Sequence, residues 1–193
     1  MKNKWVVVIS FIIAIGAIFY VFLPRLLYYI KPEPTENDIK FKENSPLVIE
    51  NFQASIPDTG TKISGGSYGI FFKYFCDGKL NYKIYSVMEP QYSWINDKER
   101  GIVIENIKFK CHELFARKLK ETLSKVPEIC SYSDDDIKLI GKYNYDELQD
   151  FLKENYSSLD TIKSVSKLKN IELEIDKLLL DYSAYTKEEE INN

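Results

Sequence analysis

Histidine occurs once in the 193 residues, at His112, and cysteine three times, at Cys76, Cys111 and Cys130. A cysteine nucleophile needs a base within hydrogen-bond reach. His112 directly follows Cys111, and side chains of neighbouring helical residues diverge, so the two read as an ordinary thiol and an ordinary ring. A phosphate loop is also missing. Gly60 to Ser67 is rich in glycine, but Gly66 stands where a lysine must precede the hydroxyl residue, and a strand follows instead of a helix. Asp134, Asp135 and Asp136 lack the alternating ligands, central glycine and distant glutamate of a calcium loop. Carboxylates in the first turn of a helix are stabilised by its dipole, which explains the three. The sequence calls for no metal and no cofactor, and no catalytic set emerges.

What is abundant is apolar sequence at the N-terminus. Trp5 to Leu23 is a run of 19 residues without a charge, with Lys2 and Lys4 before it and Arg25 and Lys31 after it. As a helix it spans roughly 28 Å, against ~30 Å for the hydrocarbon core of a bilayer. The run exceeds the ~7–15 apolar residues of a cleaved signal, and no small-residue cleavage site follows. Tyr28 and Tyr29 suit headgroup depth, where Arg25 and Lys31 snorkel to phosphates. Residues 5–23 therefore read as an uncleaved transmembrane anchor, with apolar character extending toward Ile30. The positive charges nearly balance across the run. A basic tail of four residues (1–4) is expected to stay in the cytoplasm while the domain beyond is exported.

The remainder is acidic. Removing the four bases around the anchor leaves 22 Lys and Arg against 29 Asp and Glu in residues 32–193, a net charge of 22 − 29 = −7. That balance excludes nucleic acid as a partner, because such binding rests on neutralising phosphates. An acidic domain steers basic partners.

Residues 31–46, punctuated by Pro32, Pro34 and Pro46, read as a semi-rigid spacer. Residues 47–186 then form a single domain, and 187–193 a charged, fraying tail. Leu47 to Ile56 reads as a first strand. Tyr68, Ile70, Phe72, Tyr74 and Cys76 alternate on one face. Asp77 and Gly78 form a turn, and Leu80, Tyr82, Ile84 and Met88 alternate on the return, the pattern of a β-hairpin. Gly101 to Lys110 reads as a further strand whose phase slips at Glu105 and Asn106, as at a β-bulge. From His112 the period becomes helical, through Phe115, Leu119, Leu123 and Val126, with Pro127 as terminator. A short helix over Asp134–Ile140 stopped by Gly141, a second capped by Asn144, and a stripe from Leu159 to Tyr182 follow. Strands first and helices afterwards indicate α+β: a small antiparallel sheet of about four strands packed by C-terminal helices.

An odd number of cysteines in an exported domain allows one disulfide and a leftover thiol. If the Gly101 strand continues a meander, Cys76 and Cys111 finish at the same end of the sheet. They are near neighbours only if that strand pairs on the hairpin's other edge, which makes them the candidate pair, with no disulfide and the other pairings as the standing alternatives. A Cys111–Cys130 bridge is disfavoured because the intervening helix carries the chain ~21 Å away.

The polar loop from Glu89 to Arg100 holds Tyr92 and Trp94, the binding candidates, since aromatic residues are enriched at interface hot spots. Such rings also fold back on the edge of their own domain. The expectation is a single-pass membrane protein of the cell envelope that is not an enzyme. Its exported domain binds another protein, as an assembly factor, a transport accessory or an immunity-type inhibitor does. A structural or sensory membrane component and an envelope enzyme with an unrecognised site are the alternatives.

Overall fold

The computed structural model describes residues 33–58, 62–77 and 79–186. The candidate anchor (5–23), the tail (187–193) and turn residue Gly78 lie outside them. Among the described residues no helix is long and apolar enough to cross a membrane. Pro34 onward groups as one compact unit. It is α+β, with a small antiparallel sheet and three helices.

The hairpin consists of two strands of ten residues, β3 (Tyr68–Asp77) and β4 (Lys79–Met88), in antiparallel register from Tyr68 opposite Met88 to Asp77 opposite Lys79. Ile70, Phe72, Tyr74, Leu80, Tyr82 and Ile84 share the inward face and pack on Ala116, Leu119, Leu123, Ile129 and Ile137. On the other face Phe71, Tyr85 and Val87 are buried together, the two rings stacked at 5.0 Å. The segment read as a spacer contributes a short strand of its own. In β1, Ile39 and Lys40 pair with Met88 and Val87. The main sheet thus has the order β1-β4-β3, while a two-stranded ribbon pairs β2 (Ser64–Gly65) with β5 (Trp94–Ile95).

The expected strand at Leu47–Ile56 is instead a 3-10 turn, Ile49–Asn51, in extended flanks. The Asn51 carboxamide accepts the Val48 amide at 2.7 Å and turns the chain. Leu47 makes no strand partner because a side chain supplies one. Asn106 accepts from the Leu47 amide (2.9 Å) and donates to its carbonyl (3.2 Å).

The larger correction concerns Gly101–Lys110. It is no strand but part of α1 (Lys98–Lys125), the long central helix. Asp97 caps it, accepting from the amides of Glu99 and Arg100 at 3.1 and 3.0 Å. The β-branched Ile102, Val103, Ile104 and Ile107 look like a strand, and the slip at Glu105–Asn106 was the step of three that a helix makes. Val103, Ile104, Ile107, Cys111, Leu114 and Phe115 form one stripe against the other helices, and Ala116, Leu119 and Leu123 another against the sheet. Being surrounded on nearly all sides, α1 buries its polar residues as well.

Residues 134–156 form one helix, α2 (Asp134–Tyr156), where two were expected. Gly141 does not stop it. A β-carbon there would stand 3.1 Å from the Phe72 ring, so the glycine serves close packing on the hairpin. Asn144 is buried inside the helix, and the cap is Ser133, whose hydroxyl accepts the Asp136 amide at 3.2 Å. The stripe beyond breaks into a 3-10 turn, Leu159–Thr161, and α3 (Val165–Asp181), started by Ser164. Leu168, Ile175 and Leu179 pack it into the core.

The cysteines pair differently from the candidate Cys76–Cys111. Cys76 at the hairpin end is bonded to Cys130 in the α1–α2 connection, with Cα atoms 5.6 Å apart, and Cys111 is a buried free thiol. The reason is the extent of α1. It begins at Lys98, so Cys111 falls in mid-helix facing α3, while the chain leaving the helix comes back under the hairpin.

Candidate functional site

Side chains of α1 organise a polar interior. Glu105, fully buried, accepts from Ser64 Oγ at 2.6 Å, Tyr68 OH at 2.7 Å and Lys108 Nζ at 2.9 Å. Burial, followed by this carboxylate, raises the Tyr68 phenol well above its usual range and keeps it a donor. About two helical turns further on, Glu113 accepts from Arg117 Nε at 3.0 Å and Ser86 Oγ at 2.9 Å. Arg117, buried to 1 % exposure, also donates to the Leu179 carbonyl at 2.9 Å and to Glu43 at 2.8 Å. It thereby ties the chain before the hairpin to the end of α3. These charges are paired because an unpaired buried charge costs several kcal/mol.

Ser64 beside Glu105 is not a nucleophile with its base. Both are shielded from solvent at 3 % and 0 % exposure, and the carboxylate is already occupied by three donors. The glycine-rich segment is filled in the same way. A β-carbon at Gly66 would overlap Tyr68 and the Glu105 carboxylate, Ser67 Oγ donates to Glu89, and its amide donates to Ser93 Oγ at 2.9 Å. A loop that already holds two carboxylates repels phosphate. Cys111 and His112 also part company. Burial pushes the Cys111 thiol up to about 12, so it is no thiolate at neutral pH. The ring of His112 turns to Tyr68 with Nδ1 at 2.8 Å from the Lys108 carbonyl, which fixes the proton on that nitrogen. Asp136 belongs to the cap of α2. Among the described residues no group of three or more His, Cys, Asp or Glu side chains is placed to hold a metal.

The Tyr92–Trp94 loop is solvent-facing and held firmly. Pro90–Tyr92 is a 3-10 turn, and Ser93, fully buried, donates through Oγ to the Glu89 carbonyl at 2.8 Å. The chain at 53–54 is laced to the same loop: Gln53 N donates to Pro90 O at 3.0 Å and Ala54 N to Ser93 O at 2.9 Å. The two candidate rings then separate. Tyr92 is 65 % exposed. Trp94, in β5, is half-buried, its indole close enough to Gly65 that a β-carbon there would lie 2.7 Å from Nε1. It is a packing residue of the β2–β5 ribbon first.

Sequence reasoning missed three exposed apolar residues on the segment laced to this loop. Val48, Ile49 and Ile56 flank the laced segment and are exposed by 49 %, 37 % and 49 %. Leu47–Ile56 reads in sequence as a first strand, and a strand would hide part of this apolar stretch. The available signal was negative: three apolar residues in a row directly after Pro46, with no sequence partner of matching period.

Compared with known proteins, the chain matches no protein-family model, no curated protein and no solved structure.

Proposed function

We propose that this chain is a membrane-anchored protein of the cell envelope whose acidic exported domain binds another protein without catalysing a reaction. The observation that carries the reading is the exposure of Tyr92, together with that of Val48, Ile49 and Ile56 on the segment whose Gln53 and Ala54 amides bond to the Tyr92 loop. Large exposed apolar side chains on a hydrogen-bonded support favour an interaction site. The exposed acids Glu50 and Asp58 lie on the same stretch of chain, which suits a partner with an apolar knob in basic surroundings. The anchor reading rests on residues 5–23 alone. Export draws support from the Cys76–Cys130 bond, since disulfides persist in oxidising compartments.

The test uses the full chain in its own membrane. A photo-crosslinking residue at Tyr92 should give a discrete adduct, and one at Tyr143, equally exposed at 65 % on α2, should not. Tyr92→Ala combined with Ile49→Ser should abolish recovery of that adducted protein while leaving the melting temperature within about 2 °C, as expected for surface changes. Equal adducts from both positions, or none, would remove the reading. Protease shaving of intact spheroplasts tests topology separately, and a shielded domain would overturn export.

A further inference from the structure

The segment that carries β1 is laid on the domain rather than built into it. No residue from 33 to 46 is buried. The first that is, Leu47, has its amide and carbonyl held by the buried carboxamide of Asn106. Before that point the segment rests on alternate residues. Ile39 and Phe41 lie half-buried among Met88 and Phe109, the Phe41 ring edge-on to Phe109 at 5.4 Å. Two residues on, Glu43 accepts from Arg117 at 2.8 Å. Backbone support comes from the two residues of β1 and from Phe41 N, which donates to Ser86 O at 3.2 Å. Lys40 Nζ lies 4.1 Å over the Tyr85 ring on the other face.

The cost of lifting this segment is uneven along it. Glu43, its side chain 57 % exposed, returns to water. Arg117 keeps Glu113 at 3.0 Å and the Leu179 carbonyl at 2.9 Å, so no buried charge is stranded. Ile39 and Phe41 give up contacts that only half-bury them. At Leu47 the same motion would pull a buried side chain from the core and take the amide donor from the Asn106 carboxamide oxygen. The break therefore falls between Glu43 and Leu47, where Ser45 N turns back to Lys42 O at 3.1 Å and Pro46 follows. We infer that residues 34–46 are a releasable strap. They detach from β4 and α1 as a unit while the chain from Leu47 onward stays folded, and the freed length adds up to about 40 Å of reach between the domain and the bilayer. Burial of Ile39 and Phe41 draws the strap back, and tension from the N-terminal side draws it off. The added reach rests on the anchor reading of residues 5–23; the release itself does not.

Hydrogen exchange of the detergent-solubilised full chain separates release from global unfolding. The Phe41 amide should exchange at least about a hundredfold faster than the α1 amides of Ile107 and Leu114, and the Leu47 amide should keep the slow rate. Glu43→Gln should speed Phe41 about fivefold and leave Ile107 unchanged. Because Phe41 bonds Ser86, the neighbouring partners Lys40 and Val87 form a non-hydrogen-bonded pair. Lys40→Cys with Val87→Cys should therefore close a disulfide and bring Phe41 to the slow rate. In proteoliposomes, energy transfer from a dye on Asp135→Cys to acceptor lipids should be weaker when Ile39→Ser with Phe41→Ser holds the strap off than when the disulfide locks it. Phe41 exchanging together with Ile107 overturns the strap, as does Leu47 opening with Phe41 or a lock without effect on Phe41. Equal transfer from locked and released chains that both float with the vesicles overturns the added reach. Chains that fail to float overturn the anchor reading and the reach with it, and the exchange result is independent of both.

Discussion

Loss of the Cys76–Cys130 bond is the perturbation whose size follows most directly from the chain. The bridge spans a sequence separation of 54. Loop-closure entropy for that length is about 14 cal/mol/K, or about 4 kcal/mol at 25 °C, removed from the unfolded ensemble while the bond is intact. The native state should survive without it. Tyr74 OH donates to the Asp134 carbonyl at 3.0 Å, and Phe72, Tyr74, Leu80 and Tyr82 still pack on Ile129 and Ile137. Cys76→Ser with Cys130→Ser should therefore fold and lose about 4 kcal/mol in urea. At ~2–4 °C per kcal/mol, the melting temperature falls by about 8–16 °C. Because most of the effect lies in the unfolded chain, either single variant should match the double one, and the denaturant slope should rise as that chain expands. Cys111→Ser should leave the bond in place. Wild type and double variant within 1 kcal/mol of each other under oxidising conditions would refute the reasoning, as would a Cys76–Cys111 peptide in a non-reducing map.

Glu105→Ala should cost about 3–5 kcal/mol, since it strands Ser64, Tyr68 and Lys108 around a cavity; a loss under 1 kcal/mol in urea would show that the network is not a structural keystone. Gly66→Ala should destabilise by about 1–3 kcal/mol through overlap with Tyr68 and Glu105, and pairing it with Glu105→Ala should recover part of that loss in a double-mutant cycle. Lys110 joins α1 to α3 through Glu172 at 2.9 Å and Asp176 at 2.7 Å. Burial alone would lower its pKa, but the hydrogen bonds to Asp176 and Glu172 outweigh burial and raise it above the usual 10.5. The pair's stability is accordingly complete below pH 10.5 and lost as pH climbs through the raised value. Lys110→Met should flatten that part of the alkaline denaturation curve, and an unchanged curve would assign the loss to other groups.

The hairpin was legible because its information is local. Alternation with a period of two, and a turn signal between the runs, specify which side chains share a face without reference to anything else in the chain. The stripes of α2 and α3 were legible for the same reason, although Gly141 and Asn144 were misjudged as boundaries. Both residues answer to neighbours distant in sequence: Gly141 to Phe72, and Asn144 to its burial within the fold. The Tyr92–Trp94 loop was recognisable as a candidate from composition. Which of its rings points outward depended on Gly65, some thirty residues away.

Helix α1 marks the boundary of what sequence alone determines. An amphipathic helix announces itself by keeping its polar residues on one side, and α1 does not, because it runs through the middle of the domain. Glu105, Asn106, Glu113 and Arg117 are tolerated inside only because Ser64 and Tyr68, Leu47, Ser86, and Glu43 with the Leu179 carbonyl come to meet them from elsewhere in the chain. None of those partners can be read from the helix itself, so its first half looked like a bulged strand. The cysteine pairing inherited that error, since the start of α1 decides which thiol lies in the core and which returns to the hairpin. Periodicity and turn chemistry act between near neighbours and are written in the sequence; the satisfaction of buried charge and the closure of a long loop are properties of groups brought together only by folding.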